Sequence, residues 1–406
     1  MMARGAALRQ REAPTETRSL EAAPVARVDL HWNVTSAVLE AWAQLEAMAP
    51  CSIYQTRAWL LPWTRMLGQK AGLKPFYVIA RGDADQPLAL LCLGLRRIGP
   101  FKIAAFLGGK DSNFNLPLVR PGLDFDPETW HALLLDAANL MGRDRPCAFL
   151  LQNQPAEWSG QANSLARLTA QPSPNVALGT TLTPVAETFF AEKLSKATRK
   201  KLRRKETRLA ARGPLTYRTP ATAHETAAIL DAFFAQKTSR FRAQNIVSGF
   251  DDPAMRRFIE AASVPGAHGT GIELHALYSG GTVVAVYGGG MHRGCWSGMF
   301  NSFDASADIA RSSPGDLLLM AIMAKQCAAG TKHFDLGIGE ARYKATFCGD
   351  VIPLFDSFVA LTPMGRVFLL IEAIALRTKS GIKSHHALFH LARRLQASWH
   401  QRKTRP

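Results

Sequence analysis

The order of predicted helices and strands in the first half of the chain recurs in the second half. In both halves, two helical patterns precede three consecutive strand patterns, and a further helix and a further strand follow. The first set ends with the strand CAFLLQNQ, and the second ends with HFDLGIG. A chain of 406 residues is also too long for one ordinary core. The pattern therefore predicts a mixed α/β (α+β) fold built from two copies of one domain.

The predicted domains are residues 27–184 and 215–363, and a basic helix over residues 185–214 joins them. The joining segment ends at a Gly-Pro pair, which stops helices. Residues 1–26 contain arginines but no apolar signal-peptide core, so they are predicted to be a disordered tail. Residues 364–406 are predicted to form a basic, amphipathic helical tail.

The net charge of +17 is confined to two of these segments. Residues 193–212 carry ten lysines and arginines against one glutamate, and residues 364–406 carry nine against one. An apolar stripe on the joining helix is expected to pack on the protein body; it consists of Leu194, Thr198, Leu202 and Leu209. The basic segments predict an anionic partner, which could be lipid headgroups of the inner membrane face, tRNA or an anionic polysaccharide precursor. The alternative is two solvated faces that bind nothing specific.

Composition argues against several classes of protein. No run of about 18 uncharged apolar residues is present, so a spanning helix is not expected. The six cysteines form no C-x-x-C pair and most lie in apolar patterns, which favours buried free thiols. The histidines have no metal-ligand spacing, and no metal is expected. We therefore expect a cytoplasmic protein, with peripheral contact to the inner membrane as an open alternative.

The segment RSSPGDLLL, at residues 311–319, is predicted to begin a helix directly after a strand. Ser313 suits the N-cap, Pro314 suits the first helical position, and Asp316 completes a capping-box arrangement. Capping alone accounts for these residues. The functional alternative is a phosphate or carboxylate held by the helix N-terminus, against the opposing charge of Asp316. The predicted cofactor-binding residues are Arg311, Ser312, Ser313 and Gly315.

The segment FDLGIGEARYKATF, at residues 334–347, places a strand end beside a short helical pattern. Ligands collect at the carboxyl ends of strands in open α/β sheets. Lys344 is predicted to stabilise an oxyanion, and Tyr343 to donate a proton to a leaving group. Asp335 or Glu340 is predicted to act as a base or to orient an amine; the alternative is a surface ion pair between Glu340 and Lys344. The predicted substrate-binding residues are Gly337, Gly339, Arg342 and Phe347.

These segments, taken in order, resemble a known family. The order helix–meander–helix–strand is similar to the GNAT acyltransferase fold, and two copies joined by a basic helix resemble the Fem-type peptidoglycan aminoacyltransferases. The resemblance is closer to the CelD/BcsL-like acetyltransferases of cellulose biosynthesis. Three segments carry it: LSKATRKKLRRKETRLAARG, SPGDLLL and FDLGIGEARYKATF. It covers roughly residues 30–365.

The resemblance implies roles for residues in the second copy. Fem-type enzymes have an F-K-x-x-F-G segment whose lysine lies in the acceptor and transition-state site. This chain reads Y-K-A-T-F-C-G, so Lys344 and Phe347 match, while Cys348 moves the glycine to Gly349. The second copy is therefore expected to be the active one.

The donor site implied by the resemblance is the loop R/Q-x-x-G-x-G/A, which binds the CoA pyrophosphate in GNAT enzymes. Here the corresponding residues read R-S-S-P-G-D. Arg311 fits this loop, whereas Pro314 and Asp316 replace small residues. In this difference from the GNAT loop the chain resembles the Fem-type enzymes, whose donor is aminoacyl-tRNA.

The function expected from the residues and the resemblance together is acyl transfer from acetyl-CoA or another acyl-CoA. The expected acceptor is an amine or hydroxyl of a sugar, polysaccharide or cell-envelope precursor. Two alternatives stay open: Fem-like aminoacyl transfer from tRNA, and a non-catalytic accessory of a polysaccharide synthase. The first copy has FLLQNQPAEW at the corresponding strand end. It is expected to be degenerate, with a structural role or as one wall of the acceptor cleft.

Overall fold

The computed structural model of the protein describes most of the chain. The described residues are 21–22, 25–244, 248–264, 268–269, 271–339 and 341–384. The predicted site residue Glu340 and the tail residues 1–20, 23–24 and 385–406 lie outside them.

The first half contains the predicted elements and several short strands. Its helices are α1 (Ser36–Met48), α2 (Arg57–Trp63) and α3 (Pro127–Leu140). Its strands are β1 (Glu21–Ala22), β2 (Arg27–His31), β3 (Lys74–Arg81), β4 (Pro87–Ile98), β5 (Phe101–Phe106), β6 (Leu118–Val119), β7 (Leu123–Asp124), β8 (Ala148–Pro155), β9 (Glu157–Trp158), β10 (Gln161–Ala162) and β11 (Ala170–Thr181). Asp126 accepts a hydrogen bond from the Thr129 N–H at 2.7 Å, so α3 begins at the predicted Asp-Pro start. Pro62 lies inside α2, and a π-helical turn over Thr64–Gly68 follows it.

The basic segment between the halves forms two helices rather than one. They are α4 (Ala186–Lys193) and α5 (Lys196–Ala210). The break lies at Leu194 and Ser195, and Ser195 caps α5 by accepting a hydrogen bond from the Thr198 N–H at 3.1 Å. Leu194, Leu202 and Leu209 are buried against the second half. The leucines of the predicted stripe therefore pack on the protein body, and Thr198 is half-buried. The lysines and arginines of this segment are exposed, apart from the partly buried Arg199 and Lys205.

The second half repeats the order of the first. Its helices are α6 (Ala223–Ala243), α7 (Pro253–Ser263), α8 (Ala307–Ala310), α9 (Pro314–Ala328), α10 (Arg342–Phe347) and α11 (Pro363–Ser384). Its strands are β12 (Leu215–Arg218), β13 (Glu273–Ser279), β14 (Thr282–His292), β15 (Cys295–Phe303), β16 (His333–Ile338) and β17 (Asp350–Ala360). The short helix α8 separates β15 from α9, so the prediction that α9 directly follows a strand is wrong.

The two halves exchange strands within one sheet. The strand order is β12-β13-β14-β15-β16-β11-β17-β8-β5-β4-β3-β2, and β6 pairs with β4 outside this path. Strand β11 leaves the first half and pairs with β16, while β17 follows the second half and pairs with β8. The two exchanged strands pair with each other. The sheet is therefore mixed and continuous through both halves, which confirms the predicted mixed α/β fold class.

One hydrophobic core also spans both halves. It lies on the face of the sheet covered by α1, α2, α6 and α7. The rings of Trp59 and Phe258 meet edge to face there, with centroids 5.0 Å apart. On the opposite face, α9 and α5 cover the second half and α3 covers the first. The halves are thus joined by packing as well as by the sheet.

Candidate active site

Strands β15 and β16 run parallel and then diverge. They are paired at Cys295 with His333, at Trp296 with Phe334, and at Ser297 with Asp335. This ladder ends there, although β15 continues to Phe303 and β16 to Ile338. Backbone groups of the two strands beyond Ser297 and Asp335 therefore line an opening in the sheet. Polar groups from both halves surround this point.

Asp335 is a buried carboxylate at the point of divergence. It is 2% exposed, and it accepts hydrogen bonds from the Ser297 hydroxyl at 2.5 Å and from the Gly337 N–H at 3.0 Å. Burial raises its pKa to about 7, against the hydrogen bonds and the Lys344 ammonium, which favour the charged form. A carboxyl with this pKa exchanges a proton readily near neutral pH.

The turn after Asp335 is shaped by a residue of the first half. Gly337 and Gly339 have φ values of 69° and 103°, as a glycine turn allows. A Cβ on Gly337 would lie 2.1 Å from the amide nitrogen of Asn113. Asn113 accepts a hydrogen bond from the Ile338 N–H at 3.2 Å and donates one to the Tyr54 hydroxyl at 2.6 Å. Asn113 and Tyr54 were not predicted as site residues, because nothing in the local sequence connects them to the turn.

Lys344 lies under the same turn. Its ammonium donates hydrogen bonds to the carbonyl oxygens of Gly337 at 3.3 Å and Ile338 at 2.8 Å. Burial lowers its pKa to about 8, while the Asp335 carboxylate opposes this shift. An ammonium has three N–H donors, so one remains beyond these two carbonyls. Lys344 therefore supports the turn and has a donor left for a ligand.

Tyr343, the residue before, faces β15. Its hydroxyl oxygen accepts a hydrogen bond from the Asn301 side-chain amide at 3.1 Å, and the Tyr287 hydroxyl is a second hydrogen-bond partner. Burial raises the pKa of Tyr343, which keeps it protonated. The contact with Asn301 uses the phenolic oxygen as acceptor, so it leaves the phenolic proton available. Of the other predicted residues in this segment, Phe347 is buried in the core beside α9 and Arg342 is exposed.

The start of α9 differs from the predicted capping box. Ser313 is the N-cap, but its φ is 48° and its side chain caps no backbone N–H. Instead, its hydroxyl oxygen accepts a hydrogen bond from the Lys205 ammonium at 2.6 Å, and that ammonium lies 3.8 Å from Asp316. The capping-box prediction is wrong because a lysine of α5 binds both residues. Burial raises the pKa of Asp316, and the charges of Lys205 and Arg342 oppose that shift.

The other predicted cofactor-binding residues lie around the same helix start. The Arg311 guanidinium donates to Asp308 at 2.5 Å on the surface. Gly315 packs near the Phe303 ring. Ser312 is fully buried, and among the described residues its hydroxyl has no hydrogen-bond partner. Ser312, Ser313 and Gly315 thus lie together at the start of α9, where Lys205 binds Ser313. The Arg311 guanidinium instead pairs with Asp308.

A cavity of about 310 Å³ lies between the two halves and reaches Asp335. The first half contributes Glu157 and Trp158, from the strand end that lacks a Tyr-Lys pair. The exchanged strands β11 and β17 contribute Thr180 and Ile352. The strand exchange therefore builds this cavity, and it brings residues far apart in the sequence to one carboxylate.

The described residues contain no group of three or more histidines, cysteines, aspartates or glutamates that could hold a metal ion. None of the helices in the described ranges is long and apolar enough to cross a membrane. All six cysteines lie in the described ranges, are free, and are buried apart from the partly exposed Cys92. The prediction of free, mostly buried thiols is confirmed.

Part of the chain matches a known family model, and the whole fold is similar to solved structures. Residues 196–345 match the family model described as an acetyltransferase (GNAT) domain. The crystal structure of FemX has a TM-score of 0.58 at 10% identity, over 84% of this chain and 99% of that chain. A conserved protein of unknown function from Bacteroides thetaiotaomicron VPI-5482 has a TM-score of 0.51 at 11% identity, over 82% of this chain and 100% of that chain. No curated protein sequence matches the chain. The likeness to FemX spans both halves, so the predicted Fem-type GNAT architecture is confirmed at the level of the fold.

Proposed function

We propose that the protein, an acyltransferase by its GNAT domain over residues 196–345, takes its acyl group from acetyl-CoA or another acyl-CoA. We propose that the acceptor is an amine or hydroxyl of a sugar, polysaccharide or cell-envelope precursor. The observation that carries this proposal is Asp335, a buried carboxyl with a pKa of about 7 where β15 and β16 diverge. Such a group can act as the general base that acyl transfer requires.

The opening between the strands suits the acyl group and pantetheine of the donor. On the β16 side of the opening, the Gly337 and Ile338 N–H groups already bind Asp335 and Asn113. Backbone N–H groups of β15 beyond Ser297, where the ladder to β16 has ended, can bind amide and thioester carbonyl oxygens. The start of α9 lies beyond this opening, since Gly315 lies beside Phe303 at the end of β15. A helix N-terminus with cations around it suits the phosphates of CoA. Lys205 and Arg342 are the cations that support this placement.

The proposed reaction begins with the acceptor in the cavity beside Asp335. The carboxylate takes the proton from the acceptor amine or hydroxyl, whose nitrogen or oxygen then attacks the thioester carbon. The third N–H of Lys344 and backbone N–H groups stabilise the resulting oxyanion. The carbon–sulfur bond then breaks, and the Tyr343 hydroxyl donates a proton to the departing thiolate. Tyr343 regains a proton from solvent, and Asp335 releases the one it took.

The size and lining of the cavity support a compact polar acceptor. Its volume of about 310 Å³ lies at the lower end of the range for ligand pockets, about 300–1,000 Å³. This favours one sugar ring over an extended chain. Trp158 offers an aromatic surface of the kind on which sugar rings pack, and Glu157 and Thr180 offer hydrogen bonds. The resemblance of three segments to the CelD/BcsL-like group supports a link to cellulose or exopolysaccharide synthesis.

An assay of thiol release from acyl-CoA by the purified full-length protein tests two assignments, acyl-CoA as the donor and Asp335 as the general base. Acceptors in the assay would be amino sugars, nucleotide sugars and neutral oligosaccharides. We expect release that depends on an acceptor, and a loss of at least about 100-fold in the Asp335→Asn variant. Asp356→Asn is the matched control, because Asp356 is another buried carboxyl that accepts a backbone N–H, from Asn153 at 2.9 Å.

Three outcomes would contradict the proposal. Full activity of Asp335→Asn would remove Asp335 as the base. Transfer from aminoacyl-tRNA without any thiol release would support a Fem-like reaction, which the FemX fold makes the second candidate. If the protein transfers no group from either donor, the remaining candidate is a non-catalytic accessory of a polysaccharide synthase.

A further inference from the structure

Helix α11 is seated on the sheet by one face. Phe368 and Leu369 are buried against β5 and β8, and the rings of Phe368 and Phe101 are 5.2 Å apart. Gly365 lies so close to the Cys147 carbonyl that an added Cβ would be 1.9 Å from its oxygen. The first turns of α11 are therefore held against the protein, and the orientation of their other face is set.

That other face is apolar and exposed. Met364 is 51% exposed, Val367 54%, Leu370 63% and Ile371 54%. Their spacing of three or four residues places them on one side of the helix. A contiguous group of large exposed apolar side chains marks an interaction surface, whereas single ones do not. We call these four residues the outer face of α11.

The charge of the sequence that contains the outer face indicates what covers it. Arg366 lies between its residues and is exposed. Residues 364–406 carry nine lysines and arginines against one glutamate. Two copies of the chain meeting through this face would bring two segments of net charge +8 together, which opposes self-association. An anionic surface with an apolar interior complements both the charge and the exposed side chains.

We propose that the outer face of α11 binds the surface of an anionic lipid bilayer. The helix would lie in the plane of the headgroups, with Val367, Leu370 and Ile371 among the upper acyl chains and Arg366 among lipid phosphates. The buried contacts of Phe368 and Leu369 hold the body of the protein at the membrane. This inference does not depend on the proposed reaction, because no residue of the candidate active site takes part.

Vesicle co-sedimentation of the full-length protein tests the inference. The probes are vesicles of phosphatidylcholine alone and of phosphatidylcholine with about one third phosphatidylglycerol. We expect binding to the anionic vesicles, weakening as salt shortens the Debye length below about 8 Å. The double variant Val367→Ser and Ile371→Ser should bind at least ~10-fold more weakly. Its control is the double variant Leu140→Ser and Val264→Ser, which changes two exposed apolar residues elsewhere.

The possible results separate the alternatives. Circular dichroism of the variants should match the wild type, because the substituted side chains are exposed. The proposal is overturned if the wild type does not sediment with anionic vesicles, or if the α11 variant sediments as well as the wild type. A wild-type dimer that the α11 variant converts to monomer, without vesicle binding, would show instead that a second copy covers this face.

Discussion

The Ser297 hydroxyl donates a hydrogen bond to Asp335 Oδ2 at 2.5 Å, and these two residues are the last partners that β15 and β16 share before the strands diverge. The pairing of β15 with β16 therefore places the Asp335 carboxyl and the Ser297 hydroxyl, which favours the charged form of that carboxyl, where the opening in the sheet begins. Burial pushes the pKa of Asp335 up, and Ser297 holds it down. Their balance sets the pH at which this carboxyl can act as a base.

Replacing Ser297 by alanine should shift the pH dependence of the reaction. Loss of a hydrogen bond to the carboxylate raises the pKa of Asp335 further, so the rising limb of kcat/KM, expected near pH 7, should move to higher pH. A pH–rate profile measures this shift. Ser302→Ala is the control, since Ser302 is a buried serine of β15 that donates to Gln236 instead. An unmoved limb in Ser297→Ala would argue against Asp335 as the titrating base.

The same carboxyl should make stability depend on pH. The folded pKa of Asp335, about 7, lies above its ordinary value of 3.8, so the folded state binds its proton more tightly. The stabilisation is fully present below about pH 4 and is lost as pH rises to about 7, by roughly 4 kcal/mol at most. Denaturant unfolding of wild type and Asp335→Asn across this range measures the difference. Parallel curves for the two proteins would contradict the expectation.

Replacing Lys344 by alanine should reduce turnover by about 100- to 1,000-fold, because it removes a donor to the oxyanion. The falling limb of the pH profile near pH 8, where the Lys344 ammonium loses its proton, should disappear as well. Steady-state kinetics at several pH values measure both effects. Lys332→Ala, which changes an exposed lysine, should retain wild-type rates. Near-wild-type turnover of Lys344→Ala would restrict this lysine to supporting the turn.

The start of α9 should govern donor affinity. Lys205→Ala should raise KM for acyl-CoA by about 10-fold or more, the usual cost of a lost hydrogen bond to a charged group. Gly315→Asp should act in the same direction, because an added carboxylate repels phosphate. Lys200→Ala, which changes an exposed lysine of the same helix, is the control. If KM stays constant and only the melting temperature falls, the cluster serves to cap α9 and to hold α5.

Gly337→Ala should cost more stability than Gly330→Ala. Both glycines have positive φ, 69° and 74°, so alanine is strained at either position. A Cβ at Gly330 meets open space, whereas one at Gly337 collides with Asn113. Gly330→Ala should cost about 1 kcal/mol, and Gly337→Ala should cost several. Equal losses in chemical denaturation would show that Asn113 moves aside without cost.

Local pattern was sufficient to predict much of this protein. The two sets of helices and strands follow from hydrophobic periodicity and turn residues, since these depend on near neighbours in the chain. The Asp-Pro start of α3 and the glycine turn after Asp335 follow for the same reason. The apolar stripe on the basic segment also predicted its docking, because buried leucines recur at helical spacing.

Contacts between distant residues decided the rest. Strand β11 pairs with β16 of the second half, and β17 pairs with β8 of the first half. This exchange could not be predicted from the sequence, because no local pattern specifies the partner of a strand. Lys205 replaces the predicted cap of α9, and Asn113 and Tyr54 complete the turn at Asp335, because folding brings separate segments together. Whether an apolar residue is covered also depends on the tertiary structure. The sequence alone shows that α11 is apolar, but only the packing of Phe368 leaves Val367 and Ile371 exposed.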